Sequence, residues 1–372
     1  MFTIDKLQPK IDKAANMIRQ AAEDNRLIVL RHHGDADGYC GALAIEEVIV
    51  PIIQKNNSRT WQKFKRLPMR TPFYDYMDAL KDIVYLKEES SYGRKPLLII
   101  VDNGSGDEDL LALKRIMLHD VEIIILDHHI YSEEVDKLVD LHVNPRTEGG
   151  EGDVCGGILG YEVANKIGKA RPIFAAVAGI ADKSKDKFVE PYIKLVGENR
   201  EFLKKLASCV DFEAYNLKFG DSSPIYDLFN ENQKKIVNLL WPELEKRIKE
   251  YTTVVKKYFK EEKLSKGSLC TLDMEKTVLL GNYPTTGKII GIAHRTISGP
   301  RISLGFGDSF VTFRVDGVEF SITELMSAMK TKLPHGLISG GGHDYAGTVK
   351  FISAVKNEAH KIAVDYAKSK LS

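Results

Sequence analysis

Two short apolar runs constrain the fold of this chain most strongly. They are 97-LLIIV-101 and 122-EIIIL-126, and each stops at polar residues, Asp102 after the first and 127-DHH-129 after the second. A continuous apolar run, as opposed to an alternating one, is typical of a strand buried on both faces. The segment 107–120 between the runs has helical spacing. The sequence therefore predicts a βαβ unit and a parallel sheet.

The same alternation of helices and strands extends over the first half of the chain. Helices are expected at 5–24, 41–50, 156–168 and 172–182, and short strands at 27–31 and 140–144. A series of this kind predicts an α/β fold with a doubly wound, mainly parallel sheet.

The second half has a different pattern. From about 185 to 265 it is helical and rich in charge, and Pro242 is expected to open a new helix. Beyond 266 the sequence predicts a smaller α+β domain. Its expected elements are strands at 277–282, 288–297, 302–307, 309–317, 318–322 and 347–352, helices at 323–332 and 354–370, and a glycine-rich turn before the last strand. We therefore predict three parts: an α/β domain at 1–190, a helical connector at 191–265 and a smaller α+β domain at 266–372.

Composition excludes several classes of protein. With 43% hydrophobic and 28% charged residues the chain is globular, and no apolar run is long enough to span a bilayer. The N-terminus lacks the apolar core of a signal peptide, so we expect a cytoplasmic protein without a membrane partner. The four cysteines (40, 155, 209 and 270) lack C-x-x-C spacing, which fits a reducing compartment. Because 53 basic residues balance 52 acidic ones, net charge gives no argument for a nucleic-acid partner.

Four polar clusters follow predicted strands or helices: 32-HHGDADG-38, Asp102, 127-DHH-129 and Asp182. Ligands of open parallel sheets bind beyond the carboxyl ends of the strands, so these clusters are expected to form one site. Carboxylates mixed with imidazole suit Mn²⁺ or Mg²⁺, and two such ions are a common device for phosphodiester hydrolysis. Taken alone, Asp102-Asn103-Gly104 would predict only a turn.

Five segments carry a resemblance to a known family. The segments 33-HGDADG-38, 101-VDNG-104, 126-LDHH-129 and 178-AGIAD-182 resemble the four motifs of the DHH phosphoesterase superfamily. The segment 340-GGGHDYAG-347 resembles the signature of its associated substrate-binding domain, DHHA1. In the form of these motifs the chain is most similar to archaeal RecJ-like single-strand exonucleases.

The resemblance implies a role for each matching residue. It implies six metal ligands for two divalent cations, with Mn²⁺ expected first and Mg²⁺ as the alternative: His33, Asp35, Asp37, Asp102, His128 and Asp182. It places His129 near the scissile phosphate as an acid or a transition-state stabiliser. Asp127 is expected to orient a histidine. His33 matches the motif better than His32, which is expected to be structural.

Two further segments are candidates for substrate binding. Gly340, Gly341, Gly342 and His343 match the DHHA1 signature and are expected to hold the terminal nucleotide, although the bare sequence also fits a flexible turn. Arg314 is either a phosphate contact or a solvated charge at a strand edge. The segment 54–74 carries six basic residues, no acidic residue and interleaved aromatics. That composition fits single-stranded nucleic acid, or a solvated helix whose aromatic side chains face the core.

The resemblance implies a Mn/Mg-dependent exonuclease that releases 5′-mononucleotides from single-stranded DNA or RNA, with 3′→5′ polarity favoured. A role in DNA repair or replication is implied, with a helicase or nuclease complex as partner and a homo-oligomer as one option. The first alternative is a phosphodiesterase of the same superfamily acting on nanoRNA, phosphoadenosine phosphate or a cyclic dinucleotide. The second is a non-catalytic replication or repair scaffold.

Overall fold

The computed structural model describes residues 3–56, 59–69, 71–90, 93–217, 223–277 and 283–372. The chain divides into two compact units, Met1–Trp241 and Pro242–Ser372. The three-part division at 190 and 265 stays a prediction.

The first unit is built on a five-stranded sheet in which every neighbouring pair is parallel. Its strands are β1 (Ile28–His32), β2 (Phe64–Pro68), β3 (Leu97–Val101), β4 (Glu122–Leu126) and β5 (Leu141–Val143). The strand order is β2-β1-β3-β4-β5, so the order reverses between β1 and β3. The predicted α/β fold with a parallel sheet is confirmed.

The continuous apolar runs are explained by packing on both faces of this sheet. Along β3, Leu97, Ile99 and Val101 join one buried cluster, whereas Leu98 and Ile100 join another. Alternate residues of a strand point to opposite faces, so a sheet covered on both sides needs an apolar residue at every position. The helices of this unit are α1 (Gln8–Glu23), α2 (Ala36–Asn56), α3 (Thr60–Lys63), α4 (Tyr76–Ser90), α5 (Leu110–Met117), α6 (Glu133–Leu138), α7 (Gly156–Ile167), α8 (Ile173–Ala181), α9 (Asp186–Val196) and α10 (Arg200–Leu217).

Helix α11 (Gln233–Tyr258) contains Pro242 in its interior, so the prediction that Pro242 opens a new helix is wrong. The buried residues Val237, Leu244 and Tyr251 stand seven apart along this helix. Apolar residues are therefore buried at helical spacing on both sides of the proline. Their burial stabilises the helix although a proline removes one of its hydrogen bonds.

The second unit contains a six-stranded mixed sheet with the order β10-β11-β9-β8-β7-β6. Only β7 and β8 pair in parallel; the other neighbours are antiparallel. The strands are β6 (Lys260–Leu264), β7 (Gly267–Asp273), β8 (Arg301–Phe306), β9 (Phe310–Asp316), β10 (Ser339–His343) and β11 (Ala346–Lys350). The helices are α12 (Thr286–His294), α13 (Ile322–Lys332) and α14 (Lys356–Leu371).

Three element predictions for this unit are wrong. The expected strand at 288–297 is mostly helix α12. Its Ile289 and Ile290 are buried, as is Ala293 about one helical turn later. The expected strand at 318–322 is absent from that described segment, where α13 begins at Ile322. The expected glycine-rich turn is itself the strand β10. For α12, local β propensity is overridden by packing. Of the strand expected at 277–282, residues 278–282 lie outside the described residues.

Within the described part of the chain, no helix combines the length and the low polarity that crossing a membrane requires.

Candidate metal centre

The strand order places the predicted ligands at one edge of the first sheet. The motif residues follow the carboxyl ends of β1, β3 and β4, which are consecutive neighbours in the sheet. The reversal of strand order between β1 and β3 is the position at which open α/β sheets bind ligands. The loops are joined by main-chain hydrogen bonds at this edge, from His33 N to Val101 O (3.1 Å) and from Asp102 N to Leu126 O (2.8 Å).

Asp102 lies at the centre of the cluster. One carboxylate oxygen is 3.4 Å from His33 Nδ1 and the other is 3.2 Å from His128 Nε2. His33 Nδ1 also lies 2.8 Å from Asp35 Oδ2. Asp102 has a left-handed backbone, with φ of 61°, and this unusual conformation turns its side chain toward both histidines. Asp102 is therefore placed as a carboxylate that two cations could share.

The orientation of His128 is fixed by the main chain. Its Nδ1 lies 3.1 Å from the carbonyl oxygen of Gly152, which can only accept, so Nδ1 carries the proton. The lone pair is then on Nε2, which faces Asp102 and lies 3.8 Å from Asp37 Oδ2. Burial lowers the pKa of His128, but Asp182 and Asp102 outweigh it and the net shift is upward. A lone pair held against two carboxylates calls for a proton or a cation.

Asp37 lies at the start of α2 and its carboxylate is held by the first turn of α7. Gly156 N donates to Oδ2 (3.1 Å) and Gly157 N to Oδ1 (2.9 Å). A Cβ at Gly157 would lie 2.7 Å from Asp37 Oδ1, and one at Gly156 would lie 2.6 Å from the Cβ of Asp102. Both glycines are therefore required by close approach. Burial, followed by the charges of Asp102 and Asp182, raises the pKa of Asp37 well above its usual range.

Asp182 ends α8 and completes the cluster. Its side chain is 21% exposed and its Oδ2 lies 3.9 Å from His128 Nδ1. Burial raises the pKa of Asp182 to about 6, with His128 opposing the shift. Oδ1 of Asp102 and Oδ2 of Asp182 are buried oxygens without a hydrogen-bond partner. Buried oxygens left unpartnered among carboxylates are costly unless a cation binds them, so these residues fit the implied divalent ions.

His129 and Asp127 form a second arrangement beside this cluster. Asp127 Oδ1 lies 2.7 Å from His129 Nδ1 and also accepts from the main-chain N–H of His128 (2.8 Å). Burial raises the pKa of Asp127, but the charge and the hydrogen bond of His129 lower it by more than burial raises it. The net shift of this pKa is downward. The His129 side chain is 22% exposed. The ring is thus held through Nδ1, and Nε2 is its second nitrogen.

The ligand atoms also group by distance. The potential ligand atoms lie within 4.8 Å of one another in three sets: Asp102 with 127-DHH-129; His33 with Asp35 and Asp102; and Asp37 with Cys155 and Asp182. Because Asp102 belongs to two sets, the geometry suits two neighbouring cations. His32 is buried outside these sets and its Nδ1 lies 2.7 Å from the carbonyl of His33, in line with the expected structural role.

Several residues around this centre were not singled out from the sequence. Asp211 of α10 accepts from Ala36 N at the start of α2 (2.8 Å). After β5, Asn144 Nδ2 donates to the carbonyl of His129 (3.0 Å) and Arg146 Nε to that of His128 (3.1 Å). The position of 144-NPR-146 after a short apolar run was the available signal, since that run ends at the same edge as β4.

The predicted substrate residues lie in the second unit. Gly340–His343 belong to β10, the edge strand, paired with β11. A Cβ at Gly340 would lie 2.4 Å from the carbonyl of Thr348, and Gly342 has φ of 125°, so pairing this close needs glycine at both positions. At Gly341 a Cβ would meet open space. The side chain of His343 lies outside the described part of the chain.

Arg314 does not lie at a sheet edge, so that part of the second alternative is wrong, and its side chain is half-buried. Strand β9 is central, and Arg314 donates to the carbonyls of Phe313 (2.8 Å) and Gly287 (2.9 Å). Burial, with a smaller contribution from the charge of Arg295, lowers the pKa of Arg314 to about 10. No carboxylate lies within ion-pair distance of this described guanidinium.

Within the basic segment 54–74, Phe64–Pro68 form strand β2, Thr60–Lys63 form helix α3, and the first residues end α2. Phe64 and Tyr74 are buried, as expected for aromatics that face the core. The cations are engaged locally: Arg66 pairs with Glu46, Lys65 lies over the ring of Tyr85, and Lys63 is 8% exposed. Arg70 and the side chain of Trp61 lie outside the described residues. These three cations therefore do not form a free basic surface.

Comparisons with known proteins show the family and the fold of this chain. The family model described as "DHH family, N-terminal domain" matches residues 26–213. The chain belongs to the DHH family. It is 34% identical over 404 residues to an uncharacterized protein of Methanocaldococcus jannaschii, covering 95% of this chain and 53% of that protein. The chain thus spans about half the length of this curated relative.

Solved structures share the fold. A DHH domain described as a member of the s1p family of ribosomal proteins has a TM-score of 0.91 and 33% identity, and the match covers 99% of this chain and 92% of that one. RecJ of Thermus thermophilus, solved in complex with Mn²⁺, has a TM-score of 0.64 and 14% identity, covering 97% of this chain and 55% of that one. An exonuclease RecJ bound to manganese has a TM-score of 0.58 and 17% identity, covering 96% and 94%. The DHH superfamily is one of phosphoesterases, so the chain belongs to a superfamily of hydrolases.

Proposed function

We propose that this protein is a Mn²⁺- or Mg²⁺-dependent exonuclease that removes 5′-mononucleotides from single-stranded DNA or RNA, with 3′→5′ polarity. The observation that carries the proposal is the position of Asp102, whose two carboxylate oxygens lie 3.4 Å from His33 Nδ1 and 3.2 Å from His128 Nε2. Six carboxylate or imidazole side chains, one of them the shared aspartate, suit a pair of hard cations. The cations found in the RecJ structures of the same fold are Mn²⁺ and Mg²⁺.

In this proposal six side chains hold the cations: His33, Asp35, Asp37, Asp102, His128 and Asp182. Two divalent cations would supply charge neutralisation for the phosphoryl oxygens and lower the pKa of an attacking water. His129, oriented by Asp127, would donate a proton or a hydrogen bond from Nε2 to the phosphoryl group or the leaving oxygen. The main chain of α7 would keep Asp37 in place during the reaction.

The second unit would hold the end of the strand. The β10–β11 hairpin, with Gly340, Gly341, Gly342 and His343, would bind the terminal nucleotide, because unsubstituted backbone can approach a phosphate closely. Arg314 would add a phosphate contact. Its support is a guanidinium that donates to two carbonyls and has no carboxylate counter-ion among the described residues.

The test is a product ladder. The purified protein is incubated with Mn²⁺ and single strands labelled at the 5′ or the 3′ end, as DNA and as RNA. Shortening from the 3′ end with release of 5′-mononucleotides is expected. The RNA arm matters because the 33%-identical solved structure is described as a member of a family of ribosomal proteins. Persistence of the 3′ label on long products would defeat the proposed polarity.

Matched variants separate the alternatives. Asp102→Asn should abolish hydrolysis and weaken Mn²⁺ binding in calorimetry, while Asp107→Asn, five residues along the chain, should match the parent. Hydrolysis unchanged in Asp102→Asn would mean that the activity is a contaminant, in favour of a scaffold. Rates that stop rising beyond a few nucleotides would favour the small-substrate phosphodiesterase instead.

The cellular setting of this activity is also part of the proposal. All four cysteines are buried free thiols, in keeping with a reducing cytoplasm. We propose a role in DNA repair or replication beside a helicase or nuclease complex, with self-association as an option that sedimentation would test.

A further inference from the structure

A guanidinium group lies beside the DHH loop (127–129) with most of its donors unused. Arg146 follows β5, which pairs in parallel with β4, so both strands end at the edge that carries the metal cluster. Its Nε donates to the carbonyl oxygen of His128 at 3.1 Å. The side chain is half-buried. Arg146 is thus attached to the loop that carries His128 and His129.

The remaining donors of Arg146 have no protein acceptor. A guanidinium carries five N–H groups. For Arg146, a fully described residue, the bond to His128 is the one hydrogen bond that its side chain makes, and no carboxylate lies within ion-pair distance. The arginines within strands of the first sheet do have carboxylate partners: Arg31 bonds to Asp82 and Asp78, and Arg66 pairs with Glu46.

Neighbouring acids do not neutralise this charge. Glu148, two residues along, pairs with Lys10 at 2.9 Å, and Glu151 pairs with Lys185 at 3.2 Å. The carboxyl of Asp127 is held by the side chain of His129 and the main chain of His128. The Nε bond therefore fixes the orientation of the Arg146 guanidinium. None of these neighbouring acids neutralises its positive charge.

We propose that Arg146 binds the non-bridging oxygens of the scissile phosphate, with its two terminal nitrogens as a fork. A planar guanidinium matches two phosphate oxygens, and the Nε bond orients the fork before substrate arrives. The substrate phosphate and the carboxylates of the cluster are both anionic and repel each other. A guanidinium fixed beside the DHH loop would offset this repulsion and stabilise the bound phosphate. The inference rests on the proposed hydrolysis and adds a residue that the motifs do not contain.

The test compares three variants in the full chain. Arg146→Ala is expected to lower kcat/KM by about 10²–10³-fold, the usual cost of removing one donor to a developing anion. The kcat/KM of Arg146→Lys should lie between those of the parent and Arg146→Ala, since lysine keeps the charge and loses the fork. The matched control is Arg19→Ala, because Arg19 also donates to main-chain carbonyls, those of Lys166 and Ile167, at α7. It should retain the parent's kcat/KM.

Two further readouts exclude a merely structural role. Mn²⁺ affinity of Arg146→Ala, measured by calorimetry, should equal that of the parent, and added guanidinium ion should restore part of its rate. Parent-level kcat/KM in Arg146→Ala would overturn the inference. A loss that guanidinium does not restore, accompanied by weaker Mn²⁺ binding, would also overturn it.

Failure of the proposed function is distinguishable from failure of this inference. If the parent hydrolyses no phosphodiester, Arg146 is judged by equilibrium binding of inorganic phosphate in the presence of Mn²⁺. Weaker phosphate binding by Arg146→Ala than by the parent and Arg19→Ala supports the contact. Equal binding by the three proteins refutes it.

Discussion

Asp182→Asn should stabilise the metal-free protein while removing one of its cation ligands. Burial raises the pKa of Asp182 from 3.8 to about 6. The folded state therefore binds more protons than the unfolded state between these values, and stability falls as pH rises through that window. Above about pH 6 the buried carboxylate carries a constant penalty, which an asparagine would not have.

The size of the effect follows from the two pKa values. Each pKa unit corresponds to about 1.4 kcal/mol, so a rise of roughly two units gives a penalty of about 3 kcal/mol at pH 7.5. At pH 4.5 the unfolded carboxyl is mostly ionised and the folded one mostly protonated, and the same relation leaves about 1 kcal/mol. The gain of Asp182→Asn should therefore be largest near neutral pH and shrink in acid.

The assay is urea denaturation followed by circular dichroism, in EDTA, at pH 4.5 and 7.5. With saturating Mn²⁺ the order should reverse, because cation binding stabilises the parent more than the variant. Asp186→Asn is the control: Asp186 is exposed and pairs with Arg200, so its replacement should change the free energy of unfolding by about 0.5 kcal/mol or less. Equal or lower stability of metal-free Asp182→Asn at pH 7.5 would refute the reasoning.

Three other predictions concern packing and charge. Gly157→Ala should weaken Mn²⁺ binding about 10–100-fold, because its Cβ would displace the Asp37 carboxylate, whereas Gly168→Ala, just after the far end of α7 and 3.3 Å from the Val48 side chain, should retain the affinity in calorimetry. Asp82→Ala should cost about 3–5 kcal/mol in urea denaturation, because Arg31 would lose its main buried counter-charge; a cost under about 1 kcal/mol would contradict this. EDTA should lower the midpoint of thermal unfolding and Mn²⁺ should restore it; a midpoint independent of both would argue against bound cations.

Local patterns predicted four of the five strands of the first sheet, missing β2, and three of the six strands of the second, β8, β9 and β11. Strands β3 and β4 are buried on both faces, so their sequences are apolar at every position and readable without context. Helix α12 was misread because isoleucine-rich segments suit either state, and only packing of Ile289, Ile290 and Ala293 decides between them. The glycine run of β10 carries no side-chain pattern, and its pairing with β11 is a long-range property.

The candidate site, too, could be predicted from the sequence only in part. The sequence by itself determined which residues lie beyond strand ends, since parallel strands share a direction and their carboxyl ends share an edge. Tertiary structure alone decided that β1 lies beside β3, so that Asp102 meets both His33 and His128. It also brought α7 and the segment 144–146 to this edge. Those contacts depend on close approach between distant segments, which no local pattern records.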